Sequence, residues 1–163
     1  DIGKPEAQRK KIKDLAETDS NVEIFGTVVQ AFDPRYYEVC PQCNKRARPK
    51  DSGYACDQHG MVTPAYAYLI NCVLDDGTET IRAVFFRNQM EHLTQKTQEQ
   101  LQQAKDSPEQ LEQIKSDLLG SQVKVTGRVS KNEMFDRMEF VAQTVDPKPN
   151  PKDEIGKLQD LEL

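Results

Sequence analysis

Apolar and polar residues alternate along several short segments of the chain, which predicts a mainly β fold. In the first of these segments the even-numbered residues from Val22 to Val28 share one face, and the odd-numbered residues between them lie on the other. Together the segments predict five strands, at residues 22–28, 66–74, 78–86, 122–129 and 135–145. A tight turn at residues 75–77 (DDG) joins the second strand to the third as a hairpin.

The segment between the third and fourth strands has a helical pattern instead. Residues 88–119 contain eight glutamines and no β-branched run, and their apolar residues recur at helical spacings. Ser107 and Gln110 predict a capping box around Pro108, which suits the first helical position. Gly120 ends the pattern. We therefore expect a helical insertion here.

Both ends of the chain carry weaker helical signals. A short helix is predicted near residues 5–16, within an N-terminal helix or linker over residues 1–21. At the other end, prolines at three alternate positions form a stiff spacer within residues 146–163. A last helix follows, and its apolar residues are Ile155, Leu158 and Leu161.

Four potential metal ligands fall between the first two strands. Cys40 and Cys43 form one pair with a two-residue gap, and after twelve residues Cys56 and His59 form a second pair. This spacing suits a tetrahedral zinc site, with iron as the alternative. The residue after each pair, an asparagine and a glycine, readily adopts the left-handed conformation that a tight knuckle favours. We predict one structural zinc ion per chain, because all four positions are filled by protein ligands.

Three strands, a helical segment and two strands follow one another in the order of the OB-fold, a small five-stranded Greek-key barrel. We therefore predict an OB-fold domain over residues 22–145. A zinc ribbon at about residues 37–63 is inserted between strands 1 and 2, and the helical insertion lies between strands 3 and 4. Cys72, in the second strand, is expected to pack inside the barrel as a small apolar residue.

The charge of the chain restricts its partners. Its 163 residues include 22 basic and 27 acidic residues, a net charge of −5, which argues against a broad electrostatic nucleic-acid binder. Between Arg35 and Lys50, however, five basic residues stand against one acidic residue, so a local basic patch is expected near the cysteines. Apolar runs are short, so we expect no membrane partner.

The third strand has an unusual outer face. In residues 81–86 (IRAVFF) the period of two turns Arg82, Val84 and Phe86 outward. An exposed aromatic ring near a cation suits single-stranded nucleic acid, because the ring stacks on a base and the cation neutralises a phosphate. The alternative is that Phe86 packs beneath the helical insertion.

A second candidate contact lies in the connection between the last two strands. Phe135 stands there between Lys131 and Arg137, where a loop would close over the groove of an OB-fold. Arg128 faces outward from the fourth strand. The predicted nucleic-acid-binding residues are thus Arg82, Phe86, Phe135, Lys131, Arg137 and Arg128.

Several of these motifs resemble a known family. Residues 21–29 (NVEIFGTVV) and 37–43 (YEVCPQC) resemble the zinc-containing OB domain of the replication protein A large subunit, especially its archaeal forms. Residues 81–86 are similar to the third-strand motif of that family, and residues 133–140 (EMFDRMEF) are similar to its last hairpin. The resemblance covers about residues 22–145.

This resemblance implies which residues contact DNA. Arg82 and Phe86 fall on DNA-contacting positions of the family, and Phe135 matches its second stacking aromatic residue. His59 stands where a fourth cysteine is usual, and the helical insertion is longer than we expect for the family.

The function implied is a non-enzymatic single-stranded-DNA-binding domain of replication, recombination and repair. Its location would be cytoplasmic and nucleoid-associated if the source is archaeal. One alternative is a subunit-assembly module of the same complex, which would use the barrel and the C-terminal helix. Another is an accessory domain of an enzyme, although no nucleotide-binding glycine loop, activated nucleophile or open carboxylate cluster supports catalysis in the chain itself.

Overall fold

The computed structural model describes residues 7–147 and 149. Within them lie the strands β1 (Gln8–Arg9), β2 (Val22–Ala31), β3 (Arg35–Val39), β4 (Arg48–Lys50), β5 (Gly53–Cys56), β6 (Gly60–Val62), β7 (Ala65–Asp75), β8 (Thr80–Phe86), β9 (Gln122–Asn132) and β10 (Arg137–Asp146). The helices α1 (Arg87–Thr94), α2 (Gln98–Ala104) and α3 (Pro108–Leu118) lie between β8 and β9. The prediction of a mainly β fold is confirmed.

The five predicted strands pair with one another in a ring. β2 pairs with β9, β9 with β10, β10 with β8 and β8 with β7, and β7 then pairs with β2. The β10–β8 pair is parallel and the other four are antiparallel. Two further strands extend the sheet: β1 pairs with β2, and β3 pairs with β7. Strands β4, β5 and β6 form a separate three-stranded sheet.

Two of the ring strands begin two residues later than predicted. Before β8, the carboxylate of Asp76 accepts hydrogen bonds from the backbone N–H groups of Thr78 and Glu79, which keeps these residues in the turn. Before β10, Phe135 lies in a turn, where its N–H group donates to the side chain of Asn132.

The core lies inside the ring, because alternate residues of each strand point inward. Its largest fully buried side chains include Ile24, Tyr68, Ile70, Phe85 and Phe140. β9 and β10 approach so closely at Gly127 that a side-chain carbon there would collide with the carbonyl group of Val141. A glycine is therefore required at that position.

The helical insertion is present and closes one side of this core. Met90, Leu101 and Ile114 are buried in the same cluster as the strand residues. The capping box predicted at Ser107 is only half formed, since Ser107 Oγ accepts a hydrogen bond from the Gln110 N–H group without the reciprocal bond. A complete box occurs at the start of α2, where Thr97 and Gln100 exchange both hydrogen bonds.

The predicted N-terminal helix is wrong over its described part, residues 7–16. These residues form β1 and a single 3-10 turn at Ile12–Asp14. The cause is tertiary contact: β1 pairs with β2, Ile12 N–H donates to Asp76 Oδ2 at 2.8 Å, and Leu15 is buried in the core. Contacts with partners distant in sequence override the weak helical signal of so short a segment.

The spacer and helix predicted at residues 146–163 lie almost wholly outside the described residues. β10 ends at Asp146, one residue beyond the predicted end of the last strand. No helix in the described ranges is long and apolar enough to cross a membrane.

Candidate metal centre and nucleic-acid interface

The four predicted metal ligands meet at one point. The ligand atoms of Cys40, Cys43, Cys56 and His59 all lie within 4.8 Å of one another. Cys43 Sγ and Cys56 Sγ are 3.6 Å apart, and His59 Nδ1 lies 3.5 Å from the Sγ atoms of both Cys40 and Cys56. In a tetrahedral site with metal–sulfur bonds of ~2.3 Å, the ligand atoms lie about as far from one another as these atoms do. The cluster could therefore hold a metal ion.

Local backbone structure brings the two ligand pairs together. After β3, the N–H group of Cys40 donates to the carbonyl of Lys45 at 2.8 Å, and the N–H group of Asn44 donates back to the carbonyl of Cys40 at 2.8 Å. The second pair lies on the β5–β6 hairpin, where Cys56 pairs with Gly60. Asn44 and Gly60 have φ angles of 62° and 67°, so the left-handed conformation predicted after each pair is confirmed.

The environment of Cys56 favours the form that binds metals. The backbone N–H group of Gln58 and the ring of His59 lower the pKa of the Cys56 thiol to about 6. Because the thiolate is the metal-binding form of cysteine, Cys56 is prepared to bind a cation. The pKa of the Cys43 thiol is raised instead: a backbone hydrogen bond from Lys45 lowers it, but desolvation and the neighbouring thiols of Cys56 and Cys40 outweigh that bond. Cys72 contrasts with Cys56: it faces the core of the ring with no exposed surface, and burial raises the pKa of its thiol to about 12.

The outer face of β8 has the residues predicted for it. Arg82, Val84 and Phe86 point outward, and the intervening residues of the strand are buried. The side chain of Phe86 is 39% exposed although it directly precedes α1. The helical insertion therefore leaves the ring of Phe86 accessible.

Strand register extends this face onto β7 and β10, the two neighbours of β8, and onto β9 beyond β10. Arg82 lies between Val73 of β7 and Glu139 of β10. One row further along, Val84 is paired with Val141, which is itself paired with Arg128 of β9. Residues directly opposite one another in paired strands point to the same side. Arg82, Phe86 and Arg128 thus share one sheet face.

Sequence reasoning missed Phe32, which contacts Arg82 directly. The guanidinium carbon of Arg82 lies 4.1 Å from the centroid of the Phe32 ring. Phe32 is fixed in place by its N–H group, which donates to the carbonyl of Asn71 in β7 at 2.9 Å. The available signal was an aromatic residue four positions after the first predicted strand, but the fifty-residue separation from Arg82 concealed the contact.

The other three predicted contact residues lie at the β9–β10 hairpin. Phe135 is 60% exposed, and the guanidinium carbon of Arg137 lies 4.6 Å from its ring centroid. Arg137 also contacts Glu139, at 3.2 Å. Lys131 lies 3.5 Å from carboxylate oxygens of both Glu17 and Asp136.

The predicted cations therefore differ in availability. Lys131 and Arg137 are engaged by carboxylates, whereas Arg82 and Arg128 form no ion pair within residues 7–147 and 149. The Nε atom of Arg82 is also buried without a hydrogen-bond partner in that part of the chain. An anionic ligand would therefore meet Arg82 and Arg128 without displacing a carboxylate.

Fold and site together define a mainly β domain that carries a cluster of four potential metal ligands and an aromatic, basic sheet face. Residues 22–155, most of the chain, match the family described as the Replication factor-A C terminal domain. The chain belongs to this family.

Solved structures resemble the chain over nearly its full length. One is a chain from a replication protein A heterotrimer bound to ssDNA, with a TM-score of 0.74 and 18% identity, covering 95% of this chain. This chain spans 40% of the length of that one. Another is yeast RPA bound to ssDNA, with a TM-score of 0.71, 15% identity and 98% of both chains covered. At such identities the likeness shows a shared fold. No curated protein sequence matches the chain.

Proposed function

We propose that this chain is a single-stranded-DNA-binding domain of a replication protein A-like factor in DNA replication, recombination and repair. The observation that carries the proposal is the outer face of β8, where Phe86 is exposed and Arg82 has no carboxylate partner among the described residues. Two solved structures of similar fold are of proteins bound to ssDNA. The archaeal source and the nucleoid location stay predictions.

The contacts on this face suit a flexible single strand. A base stacks on the ring of Phe86, and Arg82 meets a phosphate while Phe32 holds its guanidinium plane. Phe135 at the hairpin tip offers a second ring, and Arg128 offers a second cation with no ion pair among the described residues. Stacking and phosphate contacts carry little base information, so binding should tolerate most sequences.

The same proposal includes the finer architecture. The ring of five strands is an OB-fold barrel, and β4–β6 with the cysteine knuckles form a zinc ribbon between its first two strands. Zinc is the preferred ion because three thiolates and one imidazole provide a closed tetrahedral set, which suits a structural site. Metal analysis of purified, zinc-repleted protein should find one equivalent per chain, and less than about half an equivalent would contradict this assignment.

A binding titration tests the proposed function. Labelled oligonucleotides, single-stranded and duplex, are titrated over a range of salt concentrations. We expect strong preference for the single strand and weaker binding at higher salt. Equal affinity for both forms would contradict the proposed face.

Substitution of Phe86 locates the contact. Phe86→Ala should cost about 1–3 kcal/mol of binding free energy, the usual value for loss of one base–aromatic stack. Leu119→Ala is the matched control, because Leu119 is an exposed apolar residue, 51% accessible, that lies just before β9. If Phe86→Ala binds normally but unfolds at a lower temperature, Phe86 belongs to the core and not to the interface.

Assembly with other replication protein A subunits is a second candidate role, which we assign to residues 150–163. Its support is the fold shared with a chain of a heterotrimer, together with a family match that continues to residue 155. The test is capture of partner subunits by the chain with and without residues 150–163. Unchanged capture after the deletion would contradict this role.

A further inference from the structure

The sheet face that carries Phe86 continues onto β3, beyond the residues predicted from the sequence. Phe86 is paired with Leu69 of β7, and Leu69 is paired with Arg35 of β3. Tyr37 is two residues along β3 from Arg35 and is paired with Ala67. Residues in register point to the same side of a sheet, so Arg35 and Tyr37 share the face of Phe86.

Tyr36, between them, points the opposite way. Its hydroxyl group donates to the carbonyl of Leu101 at 2.6 Å, and its ring packs edge-on against the buried Tyr68, with centroids 5.9 Å apart. The two adjacent tyrosines thus have different surroundings: Tyr36 contacts the core, while Tyr37 is half-buried on the outer face.

Arg46 joins this extended face from the metal-binding ribbon. Its guanidinium carbon lies 5.5 Å from the centroid of the Tyr37 ring. The backbone fixes this position, since Arg46 forms a bridge with Val39, and the next residue, Ala47, donates its N–H group to the carbonyl of Glu38 at 3.0 Å. The guanidinium is therefore attached to the end of β3 and is not on a free loop.

The charge at this end of the face is uncompensated. Arg35 and Arg46 are exposed, and neither forms an ion pair in the described ranges. Asp33, two residues before Arg35, pairs with Lys115 instead. Glu38 lies on the opposite side of β3 and accepts a hydrogen bond from Tyr54. Two free guanidinium groups beside an accessible ring repeat the chemistry found at Arg82, Phe32 and Phe86.

We propose that Arg35, Tyr37 and Arg46 form a second contact site for the same single strand of DNA. The bound strand then runs from Phe86 across β7 to the base of the ribbon, where a base stacks on Tyr37 and the two arginines meet phosphates. This inference rests on the proposed function and adds a second half to its binding face.

The distance between the Phe86 site on β8 and the Tyr37 site on β3 allows the contribution of each site to binding to be measured separately. Strand β3 is two inter-strand spacings, about 10 Å, from β8. At about 3.4 Å or slightly more per nucleotide, a dinucleotide is too short to contact both halves, whereas about four nucleotides already span them. The experiment therefore uses oligothymidylates of about 2 to 16 nucleotides, a series that starts below the usual site sizes of domains of this kind. Affinity is measured at each length, and for the longer oligomers over a series of salt concentrations.

The main variant is Arg35→Gln/Arg46→Gln, and its matched control is Arg48→Gln/Lys50→Gln. Both pairs remove two exposed positive charges from the same region, but the control charges lie on β4. We expect the main variant to bind the shortest oligomers as the unmodified chain does and to lose the gain in affinity at greater length. Its logarithmic salt slope should fall by about 1.4, since each single-strand phosphate contact contributes roughly 0.7.

Tyr37 is tested separately. Tyr37→Leu should weaken binding of the long oligomers by about 5- to 100-fold, and Tyr37→Phe, which keeps the ring, should restore it. Metal content and unfolding temperature are measured for every variant, because a loss of DNA affinity caused by misfolding would be accompanied by a change in one of them.

Three results would overturn the inference: equal losses in the main variant and its β4 control, equal losses at all lengths, or no loss in any variant. These differ from failure of the proposed function, which would appear as absence of single-strand binding by the unmodified chain.

Discussion

The ring of five strands and the metal-binding ribbon differ in what stabilises them. The ring encloses a continuous cluster of buried apolar residues, to which the three helices also contribute. In the ribbon, over residues 37–63, the buried residues are Val39, Cys40, Ala47 and Cys56. Two of these four are proposed metal ligands. The ring is therefore held by hydrophobic burial, whereas the ribbon buries only two other apolar residues, so we expect it to depend on the proposed metal ion.

Cysteine shows the same difference at the level of one residue type. In the ribbon, hydrogen bonds lower the pKa of one thiol, that of Cys56, to about 6, although the pKa of the Cys43 thiol is raised. In the ring, burial raises the pKa of the Cys72 thiol to about 12. A thiol of low pKa is a ligand or a nucleophile at neutral pH, while a buried neutral thiol acts as a small apolar side chain.

Metal removal should have the largest effect and should separate the two regions. Structural zinc sites contribute about 10–16 kcal/mol of apparent binding free energy, and the ribbon has little else to replace it. With a chelator we expect amide hydrogens of residues 53–62 to exchange freely, while those of β7 and β8 stay protected. Hydrogen exchange with mass spectrometry measures both.

Cys43→Ala should reproduce this pattern without a chelator, because it removes a metal ligand and leaves the ring untouched. If circular dichroism instead shows that the whole chain unfolds on chelation, the ring is not independent of the ribbon, and the comparison fails.

A large-to-small substitution in the core should produce the converse result. Phe140, on β10, is fully buried in the ring core, and Phe140→Ala should lower the free energy of unfolding by about 3–5 kcal/mol. Metal stoichiometry at temperatures where the variant is folded should not change. Denaturant unfolding and metal analysis measure the two effects.

The control for this core variant is Met134→Ala. Met134 belongs to the same hairpin but is 85% exposed, so its truncation should change stability by no more than about 0.5 kcal/mol. Loss of metal from folded Phe140→Ala protein would mean that core packing supports the ribbon as well.

Much of the fold could be predicted because local patterns and tertiary packing agree. The alternation from Val22 to Val28 matches the buried face of β2. The helical spacings of Met90 with Leu93 and of Ile114 with Leu118 match the buried faces of α1 and α3. Prediction failed where they disagree. Residues 7–16 have the composition of a helix, but the edge of β2 and the carboxylate of Asp76 satisfy their backbone groups instead.

The metal cluster was predictable for a similar reason, since each ligand pair is local in sequence and the knuckle conformation is encoded by Asn44 and Gly60. The sheet face was predictable only within one strand. Alternation placed Arg82 and Phe86 outward, but the contact with Phe32 depends on how β2 and β8 are brought together by β7. Register between distant strands is a tertiary property, which a single strand's pattern does not contain.

The smallest predicted effect concerns Cys72 and comes from comparing the same cysteine substitution in the ring and in the ribbon. Cys72→Ala removes one buried sulfur atom from the ring core and should cost about 1 kcal/mol of stability, with full metal content retained. Cys43→Ala, the same substitution in the ribbon, should abolish stoichiometric metal binding and leave the unfolding of the ring almost unchanged. Thermal unfolding and metal analysis of the two variants side by side decide the matter. Metal loss in Cys72→Ala would mean that the ring positions the ribbon ligands, because Cys72 itself faces the core and lies outside the metal cluster.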